Sequence, residues 1–320
     1  MTGPAPRPAP TAALVCIGEP MLEFNQQPDS GDGRRLYLEG YGGDTANAAV
    51  AAARQGVTVA YLTALGRDPA GDRLLDLWQR EGVVTAGVRR SLERPTAVYF
   101  VSHGAGGHSF LYYRRGSAAS AFGPSDVDEA LVRGARIVHA SGISQGISNS
   151  AADAVFHAIA LARSAGALVS YDTNFRPRLW PAARAAAVIH AAIAQADIAL
   201  PSLDDATTLT GLADPDAIAD CYLRLGPRIV ALKLGVAGVL LATPERRTRI
   251  AAHPCRAVDA TGAGDTFAGS FLARLIQGDT PDAAARYAVV AAALKCEGFG
   301  AVAPIPHAAR VKAALAASPA

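Results

Sequence analysis

The chain is poor in the features that would tie it to metal, membrane or nucleic acid. Its 320 residues include only four cysteines, two methionines, two tryptophans and 6% aromatic residues. Cys16, Cys221, Cys255 and Cys296 lie far apart, with neither CxxC nor metal-ligand spacing, so they read as small buried hydrophobes kept reduced in a cytoplasm. The seven histidines form no HxH or HxxxH pair, which argues against a protein-caged transition metal; His103 and His108 flank a glycine-rich turn and read as solvated loop residues. A net charge of +2 with scattered basic residues leaves no stripe to neutralise a run of phosphates, which argues against nucleic acid as the main partner and points to a small anionic ligand. No apolar run approaches a membrane span, so no membrane partner is expected. Residues 1–13, rich in Pro and Ala and without an apolar core, read as a disordered tail and not as a signal peptide.

Half of the residues are hydrophobic, enough for one large core over 14–320. Short apolar strands, expected over 14–17, 57–63, 137–141, 168–172, 198–201, 229–233 and 239–242, alternate with Ala-rich helical stretches. That rhythm predicts an α/β fold: a mostly parallel central sheet flanked by helices on both faces, with the active site at the strand carboxyl ends. Two inserted regions break it, at about 31–41 and 88–116, and carry aromatics and arginines around the turn 103–107. They read as a small β-sheet lid over a ligand cleft; a surface hairpin with a solvated polar face fits their composition equally well.

The most informative stretch is Asp259-Ala260-Thr261-Gly262-Ala263-Gly264-Asp265-Thr266-Phe267. Apolar residues follow it at helical spacing, so the glycines open a helix whose first N–H groups lack partners within it and attract phosphate. An aspartate there is placed to take a proton from a hydroxyl attacking that phosphate. An ordinary capped helix after a glycine turn would give the same local pattern.

A second glycine cluster, Gly40-Tyr41-Gly42-Gly43-Asp44-Thr45-Ala46-Asn47, leads into a helix, and Gly66-Arg67-Asp68-Pro69-Ala70-Gly71 follows a strand. Together with the late GAGD run, in this order across nearly the whole chain, these motifs resemble the ribokinase-like (PfkB) carbohydrate kinase family. Further segments resemble its 2-keto-3-deoxygluconate kinases: Gly18 to Phe24, Tyr112-Tyr113-Arg114, Ser141-Gly142-Ile143 and Asn174 to Trp180. The resemblance implies transfer of the ATP γ-phosphoryl to a terminal hydroxyl. Asp265 is then the base, and the N–H groups of Gly262, Ala263 and Gly264 hold the transferring charge. It implies sugar contacts from Gly42, Gly43, Asp44, Thr45, Asn47, Tyr99, Tyr112, Arg114 and Arg176, and nucleotide contacts from Asn174, Arg176, Ser202, Lys233, Gly235 and Gly238. A sugar acid carries a carboxylate, which suits the guanidinium groups of Arg114 and Arg176. Arg178 and Trp180 read instead as a helix opening below the site. Mg²⁺ is implied with ATP, with Asp205 reaching it through water. Ser202 and Asp205 depart from the family's Asn and Glu at that spacing, and Ala260 is a further departure. The aromatic lid strands imply a homodimer.

Overall fold

The computed structural model describes residues 12–27, 31, 34–104 and 107–317. Of the tail expected over 1–13, residues 1–11 lie outside them, as does the tip of the turn at 105–106. Ala12 is already buried, and the N–H of Ala13 donates to the Thr58 carbonyl at 2.9 Å, so the packed chain begins before residue 14.

Among the described residues, thirteen strands form two sheets. They are β1 Leu14–Ile17, β2 Met21–Gln26, β3 Tyr37–Gly42, β4 Val59–Gly66, β5 Val88–Ser91, β6 Val98–Gly104, β7 Gly107–Tyr113, β8 Ile137–Ser141, β9 Leu168–Asp172, β10 Ile198–Ala199, β11 Ile229–Lys233, β12 Val239–Ala242 and β13 Arg247–Ile250. The large sheet has the order β13-β12-β11-β10-β9-β8-β1-β4-β5, parallel from β11 to β5, with β12 and β13 added antiparallel at one edge. Both faces of β1 are buried, as a helix-covered parallel sheet requires. The pleat sends Val15 and Ile17 into one apolar core and Leu14 and Cys16 into the other. This is the ribokinase-like α/β arrangement the sequence implies.

The small sheet has the order β3-β2-β6-β7. One face, with Met21, Ala97, Tyr99 and Val101, is buried toward the cleft, although Leu38 on its edge strand is exposed; the opposite face leaves Tyr37, Leu111 (55% exposed) and Tyr113 (59%) in solvent. Two strands differ from expectation. The inserted region 88–116 is divided: β5 pairs with β4 at the edge of the large sheet, and only β6 and β7 belong to the small one. Strand β2, too polar and short to be set apart from β1 by pattern, runs through the middle of the small sheet because Gly18 and Pro20 turn the chain out of the large one. His103 is not a loop residue but lies on β6 opposite His108, with Nε2 2.8 Å from Asn25 Oδ1. Cys16 is buried as expected, while Cys255 is exposed.

Candidate active site

A cleft of about 1310 Å³ opens at the carboxyl ends of the large sheet, under the buried face of the small one. Its floor is the start of the helix Ala263–Ile276. Gly262, at φ 78°, caps that helix in the left-handed region, where a side chain is disfavoured, and a Cβ there would lie 3.1 Å from the Ala301 carbonyl oxygen. Gly262 and Gly264 line the cleft. The Ala263 N–H is already engaged with the Ala260 carbonyl at 3.1 Å, and Ala263 does not line the cleft, so its expected part in the phosphoryl cradle is corrected. The turn that opens the helix uses this donor, leaving the first-turn N–H of Gly264 beyond the reach of the helix's own carbonyls.

Asp265 sits in the first turn of this helix. Its Oδ2 accepts a 2.8 Å hydrogen bond from Asn47 Nδ2, on the helix Asp44–Arg54. Burial pushes its carboxyl up to about 7, and the charges of Asp44 and Asp172 add to the rise against the Asn47 hydrogen bond and Lys233. Asp44 Oδ2 accepts from Asn174 Nδ2 at 2.9 Å, and its Oδ1 is buried without a partner, as is Asn47 Oδ1. Desolvation raises Asp44 as well. Asn174 holds φ 27°, the only positive φ outside glycine among the described residues. Its N–H donates to Asp172 Oδ1 at 3.2 Å, an Asx turn that aims its amide at Asp44.

Lys233, at the end of β11, pairs with Asp172 Oδ2 at 2.5 Å. Its Nζ also lies 3.6 Å from where a Cβ on Gly264 would be, so one ammonium bridges β9 and the glycine turn. Gly235 lines the same wall. Gly238 does not: a Cβ there would lie 2.0 Å from the Ile250 carbonyl oxygen, so it serves the turn between β11 and β12. Ser202 caps the helix Leu203–Thr210 by accepting from the Asp205 N–H at 3.3 Å, and its hydroxyl is thereby committed to the helix although the residue borders the cleft. Asp205 Oδ2 accepts from Thr173 Oγ1 and the Phe175 N–H, each at 3.2 Å.

At the lid side, Gly42 has no room for a side chain, because a Cβ would meet the Tyr99 hydroxyl at 2.4 Å. That hydroxyl donates to Glu23 on β2. Gly43, at φ 113°, lets the chain pass within 2.4 Å, measured from a hypothetical Cβ, of the Glu19 carbonyl oxygen. Thr45 is corrected: it is fully buried, with Oγ1 2.8 Å from the Tyr61 hydroxyl, and belongs to the core. Arg114 bonds through Nη2 to the fully buried Glu19, stands 5.5 Å from the Tyr112 ring centre, and keeps a buried Nε without a partner. Burial pushes the Tyr112 phenol up, against the nearby charges of Arg114, Arg176 and Arg178. All three guanidinium groups line the cleft with Tyr112. Arg176 donates to the Phe175 carbonyl at 2.9 Å and Arg178 to the Phe110 carbonyl at 3.0 Å, which joins the strand-end loop to β7.

Sequence reasoning missed Asp172 as part of this cleft, read Arg178 as lying below the site although it lines the cleft, and held Glu19 within the Gly18 to Phe24 segment without its bond to Arg114. Glu19 and Asp172 directly follow or end a central strand, the one signal available, and their partners lie 95 and 61 residues away in the chain.

Comparison with known proteins agrees with this geometry. The family described as pfkB family carbohydrate kinase matches residues 11–308. A 2-dehydro-3-deoxygluconokinase of Thermoproteus tenax is 33% identical over 288 residues, covering 88% of this chain and 87% of its own. A probable fructokinase-5 of Arabidopsis thaliana is 33% identical over 275 residues, covering 83% and 84%. Among solved structures, the fructokinase of Xylella fastidiosa with bound ATP superposes with a TM-score of 0.87 at 29% identity, covering 95% of this chain and 98% of its own. The chain, with its glycine-flanked Asp265 and its lidded parallel sheet, belongs to the pfkB family of carbohydrate kinases.

Proposed function

We propose that the protein transfers the γ-phosphoryl of ATP to the terminal hydroxyl of 2-keto-3-deoxygluconate, giving the 6-phosphate. The observation that carries this reading is the placement of Asp265. Its carboxylate is steered by Asn47 at 2.8 Å, beside the glycine turn, in the cleft on which Arg114, Arg176 and Arg178 converge. Relatives named 2-dehydro-3-deoxygluconokinase in Thermoproteus tenax, Bacillus subtilis and Dickeya dadantii support it.

In this mechanism the sugar's terminal hydroxyl donates to Asp265, which takes its proton as the oxygen attacks the γ-phosphorus. A carboxyl raised to about 7 is matched to that task near neutrality. First-turn N–H groups at Gly264 and the Lys233 ammonium face the transferring charge, so orientation and electrostatics supply most of the rate in a loose transition state. Asp44 and Asn47 hold sugar hydroxyls, the Oδ1 atoms of both being free of partners within the protein, and Asn174 lies toward the nucleotide. Arg114, fixed by Glu19, and Arg176 meet the carboxylate, and Tyr99 and Tyr112 floor the lid above it.

Magnesium accompanies the nucleotide. Asp172, Asp204 and Asp205 give one wall of the cleft a hard-oxygen character, and no cage of three or more His, Cys, Asp or Glu occurs among the described residues. That fits an ion held mostly by phosphates and water. Asp205 would hold it through water, and the bound ion supplies charge compensation at the phosphates. No helix among the described residues is long and apolar enough to cross a membrane. The exposed apolar face of the small sheet is proposed as the seam of a homodimer in the cytoplasm.

A second reading, a neutral ketohexose as acceptor, is favoured by one observation: Glu19 already neutralises Arg114, and fructokinases are as similar in identity. A coupled ADP-release assay across ketodeoxy acids, fructose, ribose and adenosine separates the two. The proposal expects the ketodeoxy acids to be turned over fastest; faster turnover of fructose overturns it.

A further inference from the structure

Lys295 ends the helix Pro281–Lys295, a position where a lysine ordinarily reaches into solvent to complement the carbonyl end of its own helix. Here it is fully buried. Its Nζ donates at 2.7 Å to the carbonyl of Asp259, 36 residues earlier in the chain, on the segment that leads into the glycine turn. Removing an ammonium from water is costly, so its burial against a backbone carbonyl requires compensation from its surroundings. Desolvation pulls the Lys295 amine down, while Asp259 and Asp265 are among the negative charges that support it. The neighbouring residue continues the grip: the Cys296 carbonyl accepts from Val258 N–H at 2.7 Å and Asp259 N–H at 3.1 Å. The Asp259 carboxylate closes the segment by accepting from Thr261 N–H at 2.8 Å and Gly300 N–H at 2.9 Å.

We infer that Lys295 is a positioning residue for phosphoryl transfer, holding the Asp259–Ala260 peptide so that the turn into Gly262 and Gly264 keeps its donors aimed into the cleft. No cis peptide occurs among the described residues. An ammonium on the Asp259 oxygen therefore points the Ala260 N–H in the opposite direction, away from the buried amine, and Ala260 itself lines the cleft. Ala260 O in turn takes the Ala263 N–H, so an error in this peptide's plane passes directly to the helix start that carries Asp265. Displacements of about 1 Å at a reacting centre cost on the order of 10²-fold in rate. The buried cation also offsets part of the negative field from Asp259 and Asp265 without touching either substrate.

The inference rests on the kinase reading above, and its test separates the two. Lys295→Met keeps the buried stem and removes the charge. The expected result is a fall in kcat of at least about tenfold, with the sugar KM within about threefold and a Tm equal to or above that of the parent protein. Amide exchange should quicken at 260–264 and stay unchanged in the central strands. Lys295→Ala, prepared with and without n-propylammonium chloride, is the second arm: the amine is expected to restore kcat in the variant and leave the parent protein unaffected. Parent-level kcat in Lys295→Met, or failure of the amine to restore an inactive Lys295→Ala, overturns the inference. Parent turnover that survives Asp265→Asn rejects the kinase reading instead.

Discussion

At the scale of single residues, three carboxyl groups compete for one small volume. Asp44, Asp172 and Asp265 act on one another through their charges, and only Asp172 has a cation in contact, at Lys233. Burial first, and then the charges of Asp44 and Asp172, tune the Asp265 carboxyl toward neutrality, to about 7, so that the base of the proposed mechanism is ionised above that pH and protonated below it. Turnover as kcat/KM is therefore expected to fall on the acid side with an apparent midpoint near 7, read from a pH profile of the parent enzyme. Asp44→Asn removes the largest neighbouring charge that raises Asp265, so the acid limb should move to lower pH; an unmoved or raised limb contradicts this coupling. Asp265→Asn is expected to lower kcat by about 10²–10⁴-fold, the range of general-base contributions, with ATP affinity by calorimetry within a few fold. At the other end, Arg114→Lys loses the planar fork that can serve Glu19 and a sugar carboxylate together. The loss in kcat/KM should be about tenfold or more for the ketodeoxy acid and much smaller for fructose, whereas equal losses on both argue against carboxylate recognition.

At the scale of elements, the Asn47–Asp265 bond depends on how closely two helices approach. The helices Asp44–Arg54 and Ala263–Ile276 meet at Gly269, where a Cβ would lie 2.1 Å from the Ala48 carbonyl oxygen and 2.8 Å from the Ala51 side chain. Backbone cannot yield there as a flexible side chain can. Gly269→Ala is expected to cost about 1–3 kcal/mol in urea unfolding and to lower kcat by separating Asn47 from Asp265. A variant as stable and active as the parent would show that the helices adjust freely. The glycine turns were legible because several glycine motifs stand in one order along nearly the whole chain; the GAGD run alone fits an ordinary capped helix as well. Gly262, Gly264, Asp265, Asn47 and Asp44 all meet in the cleft. Proximity along the chain misled at Thr45, one residue from Asp44: successive residues of a helix face different ways, and its hydroxyl turned to Tyr61. The bond of Glu19 to Arg114, and the roles of Asp172 and Lys295, escaped notice because they are set by strand order and helix docking, which join residues remote in sequence.

At the scale of the whole molecule, the large sheet was readable from its apolar rhythm, since its strands are covered on both sides and hardly alternate. The small sheet was not readable strand by strand. β2 is half polar because one of its faces meets the cleft and the other meets solvent, and β5, inside the same inserted region, joins the large sheet. The outer face with Tyr37, Leu111 and Tyr113 is the natural seam for a second copy under the proposed assembly. Leu111→Asp together with Tyr113→Asp is expected to give monomers by sedimentation velocity where the parent sediments as a dimer. A monomeric parent contradicts the seam.

The most direct measurement of the central claim is a crystal structure of the protein with a non-hydrolysable ATP analogue, Mg²⁺ and 2-keto-3-deoxygluconate. The account predicts the sugar's terminal hydroxyl within hydrogen-bonding reach of Asp265, the γ-phosphate against Gly264, and the carboxylate on Arg114 and Arg176. A sugar bound with its carboxylate toward Asp265, or a terminal hydroxyl remote from that residue, contradicts it.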